Sequence, residues 1–347
     1  NSLDLNNVNC LVCAGNTTML HLLLGVDPAH IRKQPYVPTA NFLPVVRSNE
    51  AGININPRGL LYCVPSVASY VGGDTTAGVL SSGIFKNEQL NILIDIGTNG
   101  EIVLGNKEFL VACAASAGPA FEGSGVSAGM RASSGAIQKI KINRQGDVDY
   151  ATIGDAKPCG ICGSGYIELL SSMLFSGIID KSGKFLLAGK RIRQTENGKA
   201  FVVVFKENSA SGKDILITEA DIENLKRSKA AIYAASAILV RHLGLEFSQI
   251  KRIYIAGGFG TFLDMEKAIS IGLLPDLDRS KFVFIGNSSL AGAKDILLSE
   301  QAQHWAETIA RTVTNFELSV EPGYMEEYGL ALFFPHTDLT KFPTVKF

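Results

Sequence analysis

The chain has 347 residues, 46% of them apolar and 19% charged, with a formal net charge of -1. That length suits two domains of ordinary size with ample core. The balanced charge removes any electrostatic case for a nucleic-acid partner or a membrane surface, and no apolar run reaches the roughly 18 residues of a membrane span.

The start, Asn-Ser-Leu-Asp-Leu-Asn-Asn, lacks the basic and apolar regions of a signal peptide. It also lacks Met, so the chain reads as a fragment or a processed product. Six cysteines in this length fit a reducing compartment better than a disulfide scaffold, and the cytoplasm is the compartment expected.

In chain order, residues 8–14 read as a buried strand, followed by Gly15-Asn16-Thr17-Thr18 and an apolar helix stopping at Gly25. Residues 28–65 hold six of the twelve prolines and read as loops and short strands. Residues 66–80 give an apolar run, a Gly turn and a helix start near Asp74. Residues 92–112 read as a hairpin and a further strand, and 113–136 are dominated by Gly, Ala and Ser. A helix is expected over about 165–175. A basic, Gly-punctuated β region follows over 181–214, expected to be peripheral. Thr218 with Asp221 resembles a capping box opening a helix at 219–224, with a longer helix to Leu243. Strands at 251–256 and 281–285 end in Gly257-Gly258-Phe259-Gly260 and Gly286-Asn287-Ser288-Ser289, the second leading into a helix to Leu298. The tail from 316 to 334 reads as two final strands. Strands alternating with helices argue for an α/β architecture.

The most informative stretch is 92–104. Two apolar strands flank Gly97-Thr98-Asn99-Gly100, and Asn99-Gly100 is a strong hairpin pair because both residues tolerate positive φ. A tight turn gathers backbone N–H groups that suit a phosphate, and Asp95 at the strand end suits a phosphate-bound Mg²⁺, directly or through water. The bland alternative is an Asn-Gly turn between core strands. Gly257-Gly258 suits close approach of an adenosine, or else a plain helix entry. Asn16 to Thr18 would face the nucleotide, or simply cap a helix. Glu122 and Arg131 are the only charges in 113–136; they pair with each other or contact the nucleotide. Asp95 and Asp74 are the catalytic candidates. A weak internal repeat matches Ala14-Gly15-Asn16 and Gly73 to Gly78 with Ala256-Gly257-Gly258 and Gly286 to Gly292.

A duplicated α/β domain with phosphate hairpins and a Gly-Gly turn resembles the actin, sugar-kinase and heat-shock chaperone superfamily. One family fits more closely. Ile94 to Ile102, Ser116 to Gly123, Gly129 to Ala132, Gly160 to Gly165 and Ala256 to Gly260 resemble the C-terminal ATPase domain of the reductive activators of corrinoid proteins. Gly15 to Met19 and Gly286-Asn287 fit the same family, and the resemblance runs nearly end to end. It implies a duplicated actin-like ATPase fold, with two mixed-sheet domains around a nucleotide cleft. Residues 1–90 would be the remainder of the first domain and 91–347 the second. It implies ATP and Mg²⁺, with Gly97, Thr98, Asn99, Gly100, Asn16, Thr17 and Thr18 at the phosphates. Gly257, Gly258, Phe259 and Gly260 would sit at the adenosine, with Glu122, Arg131 and Asn287 as further contacts. The activity implied is ATP-driven return of a Co(II) corrinoid protein of a methyltransferase system to Co(I). The family's [2Fe–2S] cluster needs a C-x₄-C-x₂-C spacing not found here and would belong to an upstream domain, as would the first phosphate hairpin. A homodimer is one assembly open to it. Two other readings stand beside this: a small-molecule kinase of the same superfamily, and a nucleotide-binding module without turnover.

Other motifs carry less. No Gly-Lys pair is followed by Ser or Thr, so there is no Walker A loop. Gly123-x-Gly125-x-x-Ala128 follows no clear strand and opens no clear helix, a poor dinucleotide signature. Cys10 and Cys13, an odd offset on a strand, face opposite sides and cannot share one metal; they read as core cysteines. Cys159 and Cys162 precede a helix start, which leaves a redox role open.

Overall fold

Before Leu90 the chain forms β1 (Cys10–Cys13), α1 (Thr17–Leu23), β2 (Val46–Arg47), β3 (Leu60–Cys63) and α2 (Gly73–Ser82). The computed structural model describes residues 4–186, 189–196, 198–258 and 263–347. Next come β4 (Asn91–Ile96), β5 (Gly100–Gly105), β6 (Leu110–Ala115), β7 (Ala136–Ile142), β8 (Val148–Thr152), β9 (Gly160–Ile161) and α3 (Gly163–Phe175). β10 (Ile192–Thr195), β11 (Gly198–Val204) and β12 (Ile215–Thr218) lead into α4 (Glu219–His242). The rest is β13 (Arg252–Ala256), α5 (Met265–Ser270), β14 (Phe282–Gly286), α6 (Ser288–Leu298), α7 (Glu300–Thr312), β15 (Thr314–Asn315) and α8 (Tyr324–Ala331).

The central sheet runs β14-β13-β4-β5-β6-β15. β14, β13 and β4 are mutually parallel, β4-β5-β6 form an antiparallel meander, and β15 is parallel to β6. Both faces are covered, which is why its strands read as unbroken apolar runs. Ile92, Ile94 and Ile96 face α4, while Leu93 faces α2, α6 and α7. Three smaller sheets, β1-β3-β2, β8-β7-β9 and β10-β11-β12, surround it. These mixed sheets with flanking helices are the α/β, actin-like architecture expected.

β1 and β3 are parallel and lead into α2; β13 and β14 are parallel and lead into α6. α2 and α6 then cross with their backbones touching. A Cβ on Gly292 would lie 2.1 Å from the Ala77 carbonyl oxygen, and Ser81 Oγ donates to the Ser288 carbonyl at 2.9 Å.

Several expectations change. The tail beyond 316 forms α8, not two strands: Tyr324, Tyr328 and Ala331 repeat at helical spacing, with Glu326 and Glu327 in the first turn. Residues 219–242 form one helix rather than two, opened by the Thr218–Asp221 capping box. The β region over 181–214 holds a strand, β11, that is buried from Ala200 to Val204, and Phe201, Val203 and Val204 join the main core. Cys10 is exposed and so is not a core residue, while Cys13 is half-buried and packs against the small cluster of Leu20, Leu61 and Cys63. No helix among the described residues is long and apolar enough to cross a membrane.

Candidate nucleotide site

Two turns and two helix starts meet at one end of the central sheet. β4 ends at Ile96 and β5 begins at Gly100, so the hairpin closes through Gly97-Thr98-Asn99, with the Gly97 amide donating to the Asn99 carbonyl at 3.0 Å. The expected two-residue turn on Asn99-Gly100 does not form, and neither residue takes a positive φ. Gly100 is already strand. Glycine stands there because α4 crosses it: a Cβ would lie 2.7 Å from Ile232 Cγ1. Among the described residues the amides of Thr98 and Asn99 make no hydrogen bond, which leaves both donors available to an anion.

The three-residue turn places Asp95 directly opposite Glu101. Both share the face of Leu93 and Val103, toward α2 and α6. Ser288, the first residue of α6, donates to Asp95 Oδ2 at 3.2 Å. Asp74, in the first turn of α2, accepts the Thr75 amide at 2.8 Å. Burial pushes Asp95 up to about 6; the Ser288 bond opposes this, and the Asp74 and Glu122 carboxylates add to it. Burial, with Asp74 and Asp95 nearby, pushes Glu101 up to about 8. Burial raises Asp74 as well. Among the described residues, no Lys, Arg or His forms an ion pair with Asp74, Asp95, Glu101 or Glu122.

No group of three or more His, Cys, Asp or Glu is placed to hold a metal by itself among the described residues. Mg²⁺ asks for less: one or two carboxylates, with phosphate oxygens and waters filling the octahedron. Asp95 and Asp74, half-buried without counter-charge, fit that donor chemistry.

β13 ends at Ala256, which pairs with Asp95. Gly257 follows at φ 123°, where a Cβ would lie 2.4 Å from the Ile96 carbonyl oxygen. Both the dihedral and the space exclude a side chain. The two sequence motifs are therefore in backbone contact. Gly258 lines a cavity of about 360 Å³ with Phe121, Glu122, Met130, Arg131 and the start of α3 at Gly163. Glu122 Oε2 accepts the Thr98 hydroxyl at 2.5 Å, which ties this cavity to the hairpin turn. Among the described residues, Glu122 and Arg131 form no ion pair with each other, and both are exposed. Phe259 and Gly260 lie outside the described residues.

The remaining expected residues divide by how their side chains are used. Asn16 Oδ1 accepts the Met19 amide at 2.9 Å and caps α1, and the buried Thr17 hydroxyl donates to the Ala68 carbonyl at 2.7 Å. Asn287 caps α6 by accepting the Leu290 amide at 2.8 Å. Thr18, Asn16 and Asn99 line a second cleft of about 490 Å³ on the other side of the hairpin. Sequence reasoning missed Glu101, Ser288, Phe121 and Met130. Glu101 was hidden by the turn itself: a turn centred on Asn99-Gly100 would set Asp95 against Leu104. Cys159 is exposed, and the buried Cys162 starts α3 with Sγ 3.3 Å from the Ile137 carbonyl.

Comparison with known proteins places the chain in a family. Residues 89–346 match the family described as the C-terminal domain of RACo, the ASKHA domain, and residues 1–87 match the RACo middle region. The chain is 33% identical over 342 residues to the corrinoid activation enzyme RamQ of Eubacterium limosum, covering 96% of this chain and 57% of that protein. It is 27% identical over 342 residues to the [Co(II) methylated amine-specific corrinoid protein] reductase of Methanosarcina barkeri, covering 90% of this chain and 60% of that protein. A solved reductive activator for corrinoid, iron–sulfur protein superposes with a TM-score of 0.96 at 51% identity, over 99% of this chain and 55% of that one. The chain thus spans little more than half the length of these relatives. It belongs to the RACo family, with the ASKHA domain over residues 89–346 and the middle region over residues 1–87.

Proposed function

We propose that this chain is the MgATP-binding and hydrolysing part of an activator that returns Co(II) corrinoid proteins of methyltransferase systems to Co(I). One observation carries the reading: the Gly258 cavity is tied to the 97–99 turn by the Thr98–Glu122 bond and by the contact of Gly257 with Ile96, the residue after Asp95. The names of the two curated relatives supply the corrinoid partner.

In this reading the nucleoside occupies the Gly258 cavity beside Phe121, Glu122 and Arg131. The amides of Thr98 and Asn99 hold phosphate oxygens. Asp95, with Asp74 close by, would hold Mg²⁺, which would supply charge neutralisation at the phosphates. Asp95 or Asp74 orients the attacking water, and ATP and water give ADP and phosphate. Phosphoryl transfer asks the protein chiefly for positioning and charge stabilisation. In the whole protein a [2Fe–2S] centre outside this chain would supply the electron that reduces Co(II) to Co(I). ATP shifts a conformational equilibrium by binding one state more tightly than the other. The crossing of α2 and α6 joins the remainder of a first actin-like unit, residues 1–90, to a second, residues 91–347. It is the joint across which nucleotide state would be felt.

The test is phosphate release from MgATP by the whole protein, with and without a Co(II) corrinoid protein. Release without an added acceptor, stimulated by the corrinoid protein, is expected. ADP formation that requires a small hydroxylated acceptor would replace this reading with a kinase. Tight ATP binding without turnover would leave a binding module.

A further inference from the structure

One stripe of α4 touches both halves of the site. Asp221, Asn224, Ser228 and Ile232 lie at helical spacing along one side of the helix. Asp221 Oδ1 accepts the Ser127 amide at 2.7 Å and the Ser127 hydroxyl at 3.0 Å. Asn224 Nδ2 donates to the Gly125 carbonyl at 2.8 Å, and Ser228 Oγ to the Ala117 carbonyl at 2.6 Å. Ile232, one turn further, presses on Gly100 of the hairpin. The loop from 117 to 127 therefore runs antiparallel along the helix, held at three points. Between the anchors sits a 3₁₀ turn, Pro119–Glu122, that carries Phe121 and Glu122 into the cavity wall.

Resting on the nucleotide reading above, we infer that this stripe is a splint that fixes the spacing between the phosphate turn and the nucleoside cavity. Asn224 and Ser228 are positioning residues: they line neither cavity and act through the loop that carries Glu122. Among the described residues, the Thr98–Glu122 bond is the only hydrogen bond of the turn's hydroxyl, and it forms where the loop and the hairpin are both held against α4. A ligand that spans both halves, such as ATP, needs their spacing. A ligand that fills one half, such as adenosine, does not. Asp221 is less suited to a test because its other oxygen accepts the Thr218 amide and caps α4.

The experiment is calorimetric titration of this chain with MgATP and, separately, adenosine, in the Asn224→Ala/Ser228→Ala double variant. MgATP affinity is expected to fall about tenfold, with adenosine affinity within twofold of the unaltered chain. Ser228→Thr and Asn224→Gln keep the donors and should restore MgATP affinity. Equal weakening of both ligands would mean general loosening and overturn the splint, as would unchanged MgATP affinity. Asn224→Ala alone serves if the double variant does not fold. No MgATP binding by the unaltered chain would instead overturn the nucleotide reading, and the splint with it.

Discussion

Two groups of carboxylates in this molecule are treated in opposite ways. Glu327, in the first turn of α8, receives Lys341 Nζ at 2.7 Å, and His336 Nε2 lies 3.3 Å away. The Asp338 amide donates to His336 Nδ1 on the far side of the ring. The His336 and Lys341 contacts hold the Glu327 carboxyl down at about 2, against its burial. Asp95 and Glu101 are half-buried, with other carboxylates for neighbours, and stand at about 6 and 8. A buried charge without a partner is costly, and a fold that keeps one without pairing it has a use for it. The Glu327 group fastens the C-terminal tail. The Asp95 group has the charge that a Mg²⁺–phosphate ligand would balance.

Substitutions can break or sharpen that contrast. The largest effect is expected for Asp95→Asn, which should lower phosphate release from MgATP by about a hundredfold or more in the whole protein while circular dichroism shows an intact fold. A rate within twofold of wild type would remove Asp95 from the site. Gly257→Ala should come next, because its Cβ meets the Ile96 carbonyl at positive φ. A loss of about 2–4 kcal/mol in urea unfolding is expected, with weakened nucleotide binding. Glu327→Gln should cost about 1–3 kcal/mol at pH 7 by the same measure. Its folded carboxyl lies below the ordinary 4.5, so the stability it contributes is present above that value and is lost as pH falls toward about 2. The Glu327→Gln penalty should therefore shrink in acid.

The smallest effect carries the opposite sign. Glu101 folds with a carboxyl raised from 4.5 to about 8, so the folded chain binds its proton more tightly than the unfolded one. The stabilisation this gives is complete below about pH 4.5 and is lost as pH rises through 8. Glu101→Gln should flatten that decline and raise the melting temperature at pH 8.5 relative to pH 5. A parallel shift of both curves would mean that Glu101 does not titrate where its surroundings place it.

Much of the site was legible because its signals are local. The strand ending in Asp95, the glycine turns at 97 and 257, the start of α6 at Asn287 and the Thr218–Asp221 box each depend on residues a few positions apart. The family resemblance put Asp95 and Gly257-Gly258 into one site, and the fold pairs Asp95 with Ala256 and sets Gly257 against Ile96. What was left open depended on contacts across the chain. Glu122 and Arg131 were expected either to pair with each other or to contact the nucleotide; among the described residues they form no ion pair, and the loop turns both toward one cavity.

The sequence by itself determined the alternation of strands and helices, the glycines that allow backbone approach, and the acid at the strand end. Those are set by steric limits on φ, by side-chain periodicity and by local capping bonds. Only the tertiary structure decided how the hairpin closes. Ile232, far along the chain, excludes any side chain at Gly100 and holds it in the strand. That fixes a three-residue turn and sets Glu101 opposite Asp95. A shift in register changes which residues oppose one another, and it is settled by what packs against the strand, which here is α4.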